Sequence, residues 1–306
     1  MKTHVPRTRR PRRRVDGVLL LDKPSGLSSN AALQRARRAY DAEKGGHTGT
    51  LDPLASGLLP LCFGEATKFA QFLLDATKRY TATVRFGVTT TTGDGEGEVL
   101  AMHPVALARS DVEAILPDFT GRQTQVPHAY SALKFEGRSH YEYARAGIDV
   151  PRPPREIDIA HIALLAWNAP DAVLDVACSK GTYIRVLAED IGRALGCGAH
   201  LAGLRRTATG GFGIDAAVAL GDLEAMDDAT RNSMLLPVAA LLRDLPPLQL
   251  AVADAARFRQ GGAVPAPGLG DGACAAFAGK ELLGVADAAA GVARPRRVVA
   301  STPSAK

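Results

Sequence analysis

Hydrophobic and polar residues alternate along residues 81–88, TATVRFGV, so that one side of this segment is apolar. A period of two predicts a strand with one buried face. Short and mostly apolar runs predict further strands at residues 15–21, 157–165 and 173–178.

Other segments have a helical period, and they lie at residues 31–43, 65–74, 110–119 and 183–195. Ser110 and Glu113 predict a capping box at the start of the third helix, and Gly196 predicts the end of the fourth. Residues 120–156 are rich in glycine, proline and aromatic residues, which predicts a long functional loop with some local structure. Strands and helices alternate without a regular strand–helix–strand period, so the fold class is predicted to be α+β.

The length of 306 residues is sufficient for one large domain and one small domain. Pro246 and Pro247 interrupt the pattern, and the short β-like pieces beyond them contain many glycines. This composition predicts a small appended β domain. The predicted division is a basic and disordered tail at 1–14, a main domain at 15–246 and a small domain at 247–301.

The formal net charge of +5 is concentrated at the start of the chain. Residues 1–14 hold seven of the 37 basic residues and no acid, so 30 basic residues face 32 acidic residues in the remainder. An arm of like charges is typical of a segment that contacts nucleic acid, and a solvated tail without a specific role is the alternative. Counterion release would make any RNA affinity of this arm strongly dependent on salt.

The four cysteines form no C-x-x-C pair, and their density is too low for a disulfide scaffold. No apolar run reaches the roughly 18 residues that a membrane-spanning helix needs. The basic N-terminus lacks the apolar core of a secretory signal. We therefore expect a protein of the reducing cytoplasm.

A single acid, Asp52, stands in the stretch GGHTGTLDPLASGLLPL at residues 45–61. The following Pro53 is typical of a turn, or of a helix that Asp52 would cap. The alternative is a catalytic carboxylate in the same loop as His47, where glycines let another molecule approach and the apolar run removes water. A desolvated carboxylate stays charged only beside a cation, so a catalytic Asp52 should have a basic partner elsewhere.

Tyr80 follows Lys78 and Arg79 at the start of a predicted strand. Its ring is either an ordinary strand-end aromatic or a platform on which a nucleobase stacks. Arg185 lies at the start of a predicted helix, where the helix dipole does not stabilise a cation, so it needs an anionic partner. We hypothesise that Asp52 and Arg185 pair.

Leu204 precedes two arginines in the stretch GAHLAGLRRTATGGF. Arg205 and Arg206 lie near glycines, which is typical of an edge that contacts phosphates, and a solvated face is the alternative.

Several stretches of the chain match one family in the same order. They are GVLLLDKPSGLSS at 17–29, GGHTGTLDPLASGLLPLCFGEATKF at 45–69, KRYTATVRFG at 78–87, YSALKFEGRSHYEYARAG at 130–147, CSKGTYIRVLAEDIGRALGCGAHLAGLRR at 178–206 and RPRRVV at 294–299. With these stretches the chain resembles the bacterial tRNA pseudouridine-55 synthases of the TruB type. The stretch GHTGTLDPLASG is the most diagnostic of them.

The resemblance implies a fold and an activity. The implied fold is the pseudouridine synthase fold, an α+β fold with a mixed and largely antiparallel sheet, followed by a small PUA-like RNA-binding domain at 247–301. The implied activity converts the T-loop uridine of tRNA to pseudouridine by base flipping. It needs no metal, no organic cofactor and no protein partner, and a monomer is expected.

The resemblance also implies roles for particular residues. Asp52 matches the catalytic aspartate, and Arg185 matches the arginine that pairs with it. Tyr80 matches a tyrosine that stacks on the target base in the catalytic site. His47 matches a histidine that fills space in the T-loop and stacks with displaced nucleotides. The residues that match the lining of the uracil pocket are Tyr183 and Leu204.

The chain departs from the family pattern at two positions. His128 stands where the family usually has the second proline of Val-Pro-Pro, and Thr91 stands where it usually has an aspartate, although Asp94 and Gly97 fit. Two other classes remain open. One is an RNA-binding or RNA-folding protein whose site has decayed, and the other is a glycosidase-like enzyme that releases free base.

Overall fold

The computed structural model describes residues 12–131 and 133–300. Residues 1–11 of the predicted basic tail, and residue 301 of the predicted small domain, lie outside these described residues. Within these ranges, no helix combines the length and the apolar character needed to cross a membrane.

The strands are β1 (Gly17–Lys23), β2 (Gly45–His47), β3 (Ser56–Phe63), β4 (Lys78–Phe86), β5 (Val88–Thr90), β6 (Val99–Met102), β7 (Gly121–Gln125), β8 (Lys134–Phe135), β9 (Arg138–Ser139), β10 (Arg155–Asn168), β11 (Asp171–Cys178), β12 (Ala199–Thr209), β13 (Phe212–Gly213), β14 (Val218–Ala219), β15 (Leu235–Leu236), β16 (Pro247–Gln249), β17 (Val264–Pro265), β18 (Gly272–Ala278), β19 (Glu281–Ala289) and β20 (Val292–Val298). The α-helices are α1 (Ser29–Ala39), α2 (Gln71–Leu74), α3 (Arg109–Ile115), α4 (His140–Arg145), α5 (Ile184–Ala194), α6 (Leu220–Ala225), α7 (Asp228–Ser233) and α8 (Val252–Arg259). Short 3-10 helices lie at Gly64–Phe69, Leu116–Phe119, Ile214–Ala216 and Val238–Leu242.

One mixed sheet organises the larger part of the chain. Its strand order is β14-β1-β3-β12-β4-β11-β10-β7, and β2, β13 and β15 pair with strands of this path. Most neighbours are antiparallel, whereas β1 with β14 and β3 with β12 are parallel. The predicted α+β class with a mixed and largely antiparallel sheet is therefore confirmed.

The two faces of this sheet bury different cores. The alternating strand predicted at 81–88 is β4, and Ala82, Val84 and Phe86 on its buried face pack in the same core as helices α1 and α5. On the opposite face, Val18 of β1 belongs to a core that also contains Val285 of β19. Strand β1 is therefore buried on both faces, which explains its nearly continuous apolar sequence.

A second sheet has the order β16-β18-β19-β20-β17. It agrees with the β-like pieces seen after Pro247, but helix α8 was not predicted. Phe258 of α8 is fully buried and packs against this second sheet.

The local structure expected within residues 120–156 consists of the edge strand β7, the β8–β9 hairpin and helix α4. The capping box predicted from Ser110 and Glu113 is wrong. Helix α3 begins at Arg109 after the cap residue Ala108, whose N–H donates to the Asp111 carboxylate at 2.7 Å. Asp111, rather than Glu113, binds the backbone of the cap residue because it stands three residues after Ala108.

Strands β3 and β12 approach each other closely where Gly57 lies beside Arg206. Gly57 has a φ of +100°, and a Cβ added to it would lie 2.3 Å from the Arg206 carbonyl oxygen. This parallel contact therefore requires glycine, both for its backbone conformation and for the space.

We expect Gly57→Ala to lower the free energy of unfolding by about 2 kcal/mol or more, because backbone strain alone costs roughly 1–3 kcal/mol and a methyl group would overlap Arg206. Chemical denaturation followed by circular dichroism measures this change. Gly46→Ala is the matched control, since a Cβ added there meets nothing within 4 Å. Equal stability of the two variants would contradict the prediction.

Candidate active site

The loop between β2 and β3 carries Asp52 in a turn. The Asp52 carbonyl accepts from the Ala55 N–H at 3.1 Å, and no helix follows Pro53 in this described segment. The alternative that Asp52 caps a helix is therefore wrong. The preceding Leu51 is fixed by Ser29 of α1, whose hydroxyl donates to the Leu51 carbonyl at 2.8 Å and accepts from its N–H at 2.7 Å.

Arg206 holds both ends of the Asp52 loop. Its Nε donates to the Leu58 carbonyl at 2.7 Å, and its Nη2 donates to the Gly49 carbonyl at 3.2 Å. The side chain is buried, so its predicted place on a phosphate-contacting edge or a solvated face is wrong. Arg205, in contrast, faces the other way and pairs with Asp22 of β1 through two bonds, at 3.1 and 2.7 Å.

Arg185, in the first turn of α5, lies at the centre of the site and is only 6% exposed. Its Nη2 donates to the Asp52 Oδ2, so the hypothesised ion pair is present. Its Nη1 lies 3.1 Å from the Asp94 Oδ2. The same Nη1 donates to the carbonyls of Tyr130 at 3.1 Å and Thr92 at 3.3 Å. The buried guanidinium thus has two carboxylates and two carbonyls as acceptors.

Asp94 was matched to the family pattern, but no role was predicted for it. Its Oδ1 accepts from the Thr92 hydroxyl at 2.6 Å and from the Glu96 N–H at 3.1 Å. A turn that binds its own acid in this way can present the other oxygen to a distant arginine. The acid in TGDGEG was the available signal, but sequence spacing could not connect it to Arg185.

The two carboxylates on Arg185 differ in their exposure to solvent. The Asp94 side chain is 3% exposed, whereas the Asp52 side chain is 44% exposed. The apolar run after Asp52 forms β3, and its side chains pack in the two cores. The Asp52 side chain is partly buried, and the partial desolvation that was expected from this run stays a prediction. Burial, together with Asp94 and Asp52, raises the pKa of the neighbouring Glu96 carboxyl.

A cavity of about 410 Å³ opens at Asp52 and Arg185. Its walls include three further residues from the sequence prediction: Tyr80, Tyr183 and Leu204. Asp52 is the one acid that lines it among the described residues, and the lining cations are Lys78, Lys180, Arg185 and Arg206. Asp52 and Arg185 also border a second cavity of about 730 Å³, which lies toward Asp94 and Tyr130.

Tyr80 of β4 is only 9% exposed, and burial raises the pKa of its hydroxyl. Lys78 lies two residues earlier on the same side of the strand. Its Nζ donates to the carbonyls of Leu73, Leu74 and Ala76. Burial lowers the pKa of Lys78 to about 8. By binding these three carbonyls, Lys78 fixes the segment that precedes β4, the strand that carries Tyr80.

Tyr183, the N-cap of α5, is held by Gln125 of β7. The Tyr183 N–H donates to the Gln125 Oε1 at 2.8 Å, and the Gln125 Nε2 donates to the Tyr183 carbonyl at 3.1 Å. The Arg155 guanidinium lies 5.5 Å from the centre of the Tyr183 ring. Gln125 was not predicted, because its strand was taken for part of a loop.

His47 lies apart from the other predicted site residues. It belongs to strand β2 rather than to the loop, and it lines neither of the two cavities. Its Nδ1 is buried without a hydrogen-bond partner. Burial, with the charge of Arg206 in addition, lowers the pKa of His47. Its predicted contact with displaced nucleotides stays a prediction.

The arrangement offers one half-exposed carboxylate in a cavity with aromatic and aliphatic walls. Such a carboxylate can attack an electrophilic carbon or accept a proton. Across the described part of the chain, no group of three or more histidine, cysteine or acidic residues is placed to hold a metal ion.

Family models match two consecutive parts of the chain. Residues 37–184 match the N-terminal domain of the TruB family of pseudouridylate synthases. Residues 185–243 match the C-terminal domain described for tRNA pseudouridylate synthase B. The first match includes Asp52 and Tyr80, and the second begins at Arg185.

Curated relatives match nearly the whole chain. The tRNA pseudouridine synthase B of Thiobacillus denitrificans is 52% identical over 291 residues, which cover 95% of this chain and 98% of the relative. The tRNA pseudouridine synthase B of Burkholderia lata is 56% identical over 300 residues, which cover 96% of this chain and 93% of the relative.

Solved structures share the fold. A Cbf5-Nop10-Gar1 complex contains a chain with a TM-score of 0.74 and 27% identity, and the match covers 92% of this chain and 84% of that one. An H/ACA RNP bound to a substrate RNA containing 2'-deoxyuridine contains a chain with a TM-score of 0.72 and 25% identity, and the match covers 94% and 86% of the two chains.

We expect Asp94→Asn to lower the free energy of unfolding by roughly 3 kcal/mol, because losing one member of a buried ion pair typically costs about 3–5 kcal/mol. Asp52→Asn should change it by less than about 1 kcal/mol, because a partly exposed ion pair contributes little. Urea denaturation of both variants measures the difference. If Asp52→Asn is as destabilising as Asp94→Asn, Asp94 is not the anchor of Arg185.

Proposed function

The chain belongs to the TruB family of pseudouridylate synthases, and we propose that it converts the uridine in the T-arm loop of tRNA to pseudouridine, with Asp52 as the catalytic carboxylate. The observation that carries this proposal is the cavity in which Asp52 meets Arg185, Tyr80, Tyr183 and Leu204. Aromatic and aliphatic walls suit the faces of a flat base such as uracil, and the charged groups around them suit its polar edge and the attached phosphates.

The target nucleotide has to leave the base stack to enter this cavity. Extruding a base costs a few kcal/mol, and stacking on an aromatic ring inside the protein offsets that cost. Tyr80 is the proposed platform, and its position in β4 between Lys78 and the core keeps the ring fixed. His47, on β2, which pairs with β3 rather than with β4, is proposed to meet the loop from which the base departs.

The reaction breaks the bond between N1 of uracil and the sugar, turns the base, and joins C5 to the same sugar carbon. C5 loses its proton and N1 gains one, so the product is an isomer of the substrate. Two roles suit Asp52, which are attack on the sugar carbon and removal of a sugar proton. Both roles use the carboxylate as an anion. The Arg185 guanidinium stabilises that anion and fixes its direction, because Asp94 on the opposite side keeps the guanidinium in place.

RNA binding extends beyond the cavity in this proposal. Exposed arginines on β20, which are Arg294, Arg296 and Arg297, support contact between RNA phosphates and the second sheet. We therefore propose residues 247–301 as an RNA-binding domain and 15–246 as the catalytic domain. One chain supplies every residue of the candidate site, which supports a monomer. We propose that this monomer acts in the cytoplasm.

Incubation with an unmodified tRNA transcript, followed by mapping of pseudouridine, tests the proposal. One pseudouridine in the T-arm loop, with no release of free uracil, is the expected result. Free uracil would identify a glycosidase-like enzyme. Binding without any modified base would indicate an RNA-binding protein with a decayed site.

We expect Asp52→Asn to retain tRNA affinity but to reduce pseudouridine formation by at least about 10²–10⁴-fold, the range typical of losing a general base. Single-turnover assays and a filter-binding assay separate the two quantities. Asp215→Asn, at an exposed acid outside the site, is the control. Near-normal activity of Asp52→Asn would end the proposal.

We expect Arg185→Lys to lower kcat by about 10²-fold, the loss typical of a displacement of about 1 Å in a reacting group, here the Asp52 carboxylate. The affinity for tRNA should change much less. Lysine keeps the charge but lacks the planar fork that reaches two carboxylates. Arg205→Lys is the matched control, because Arg205 also pairs with an aspartate but outside the cavity. A loss of affinity alone would mean that Arg185 contacts a phosphate.

A further inference from the structure

His128 is one of the two residues of this chain that depart from the family pattern, and Thr91, the other, lines the larger cavity. His128 lies in the segment between β7 and β8, and its side chain is only 14% exposed. It lines neither of the two cavities at Asp52, so the proposed chemistry does not use it directly. Its contacts nevertheless lead to Arg185.

The His128 ring closes a tight turn on Tyr130. The Tyr130 N–H donates to the His128 Nδ1 at 3.2 Å. The two rings also stack, with their centres 5.9 Å apart and 30° between their planes. A side-chain acceptor that binds the N–H two residues later makes the same closure as an Asx-turn. The histidine therefore fixes the peptide between Ala129 and Tyr130, and with it the start of the Tyr130 backbone.

This contact requires an unprotonated Nδ1. Burial, with the charge of Arg185 in addition, lowers the pKa of His128 to about 4. The ring is therefore neutral at pH 7, and its proton lies on Nε2, which faces the Glu189 Oε1 at 3.9 Å. The other charged groups that act on His128 are Asp94 and Arg152.

The next peptide along the chain, which carries the Tyr130 carbonyl, reaches Arg185 directly. The Tyr130 carbonyl accepts from the Arg185 Nη1 at 3.1 Å, beside the Asp94 contact to the same nitrogen. Together with the Thr92 carbonyl, which accepts from the same nitrogen at 3.3 Å, these acceptors determine the plane of the guanidinium. The plane in turn determines where Nη2 points, and Nη2 is the atom that contacts Asp52.

We propose that His128 is a positioning residue, whose Nδ1 and ring hold the Tyr130 backbone through its N–H and side chain so that the following Tyr130 carbonyl directs Arg185 toward Asp52. This inference rests on the proposed function, in which Arg185 orients the catalytic carboxylate. Of the two contacts between His128 and Tyr130, the essential one is the hydrogen bond that Nδ1 accepts, and neither the stacking of the ring nor its charge is required.

Two substitutions separate these features. His128→Asn keeps an acceptor at the same distance from the backbone, and His128→Phe keeps a ring without an acceptor. We expect His128→Phe to lower kcat for pseudouridine formation about tenfold with KM changed less than about twofold, and His128→Asn to stay within about twofold of the unsubstituted protein in both. His103→Phe, at an exposed histidine, is the control.

A second measurement does not depend on activity. In ¹⁵N NMR of arginine side chains, the Arg185 Nη resonances are identified by their loss in Arg185→Lys. A guanidinium that is held by fixed acceptors rotates slowly and gives separate Nη resonances. We expect these resonances to persist in His128→Asn and to merge or broaden in His128→Phe. Thermal unfolding of both variants verifies that they are folded.

Three outcomes would overturn the inference: unchanged kcat in His128→Phe, an equal loss in both variants, or a change in KM alone. Unchanged Arg185 resonances in His128→Phe would also overturn it. If the unsubstituted protein forms no pseudouridine, the proposed function fails. The NMR comparison then still decides whether His128 orients Arg185.

Discussion

The buried guanidinium of Arg185 is the constraint on which the site depends. A cation taken out of water is destabilising unless its hydrogen-bond donors are satisfied with good geometry. Asp94 and two backbone carbonyls satisfy one side of the fork, and Asp52 satisfies the other. The contacts that satisfy this one group therefore connect the start of α5 with loops that are distant in sequence. The same group fixes Asp52, the carboxylate that the proposed chemistry uses.

The loop that carries Asp52 is rigid for separate reasons. Ser29 satisfies both backbone groups of Leu51, and Arg206 bonds carbonyls at both ends of the loop. Arg206 can reach these carbonyls because Gly57 lets strand β12 lie close to β3. The carboxylate can thus stay half-exposed without becoming mobile, because its backbone is fixed by neighbours. A functional group on a fixed loop combines access for a substrate with a defined direction.

Two kinds of feature could be predicted from the sequence: elements that follow from a local pattern of residues, and contacts between charged residues that each need a partner of opposite charge. Strand β4 followed from its period of two, and the contact between Asp52 and Arg185 followed because each needed an opposite charge. Arg206 and Gln125 could not be predicted in the same way, since both act through main-chain groups that are adjacent only in the folded chain. Helix α8 was missed because its alanine-rich sequence, VADAARFR, gives only a weak periodic signal.

Two buried cations that line the smaller cavity, Lys78 and Arg206, are held by main-chain carbonyls rather than by carboxylates. Lys78 and Arg206 donate to main-chain oxygens, which orient a cation without cancelling its charge. Asp52 is the one acid lining the smaller cavity in the described chain, so a net positive field acts there on the carboxylate and on any bound phosphate. The same field favours approach of the RNA backbone. A site built with additional carboxylates as partners would hold the cations equally well but would repel the RNA backbone.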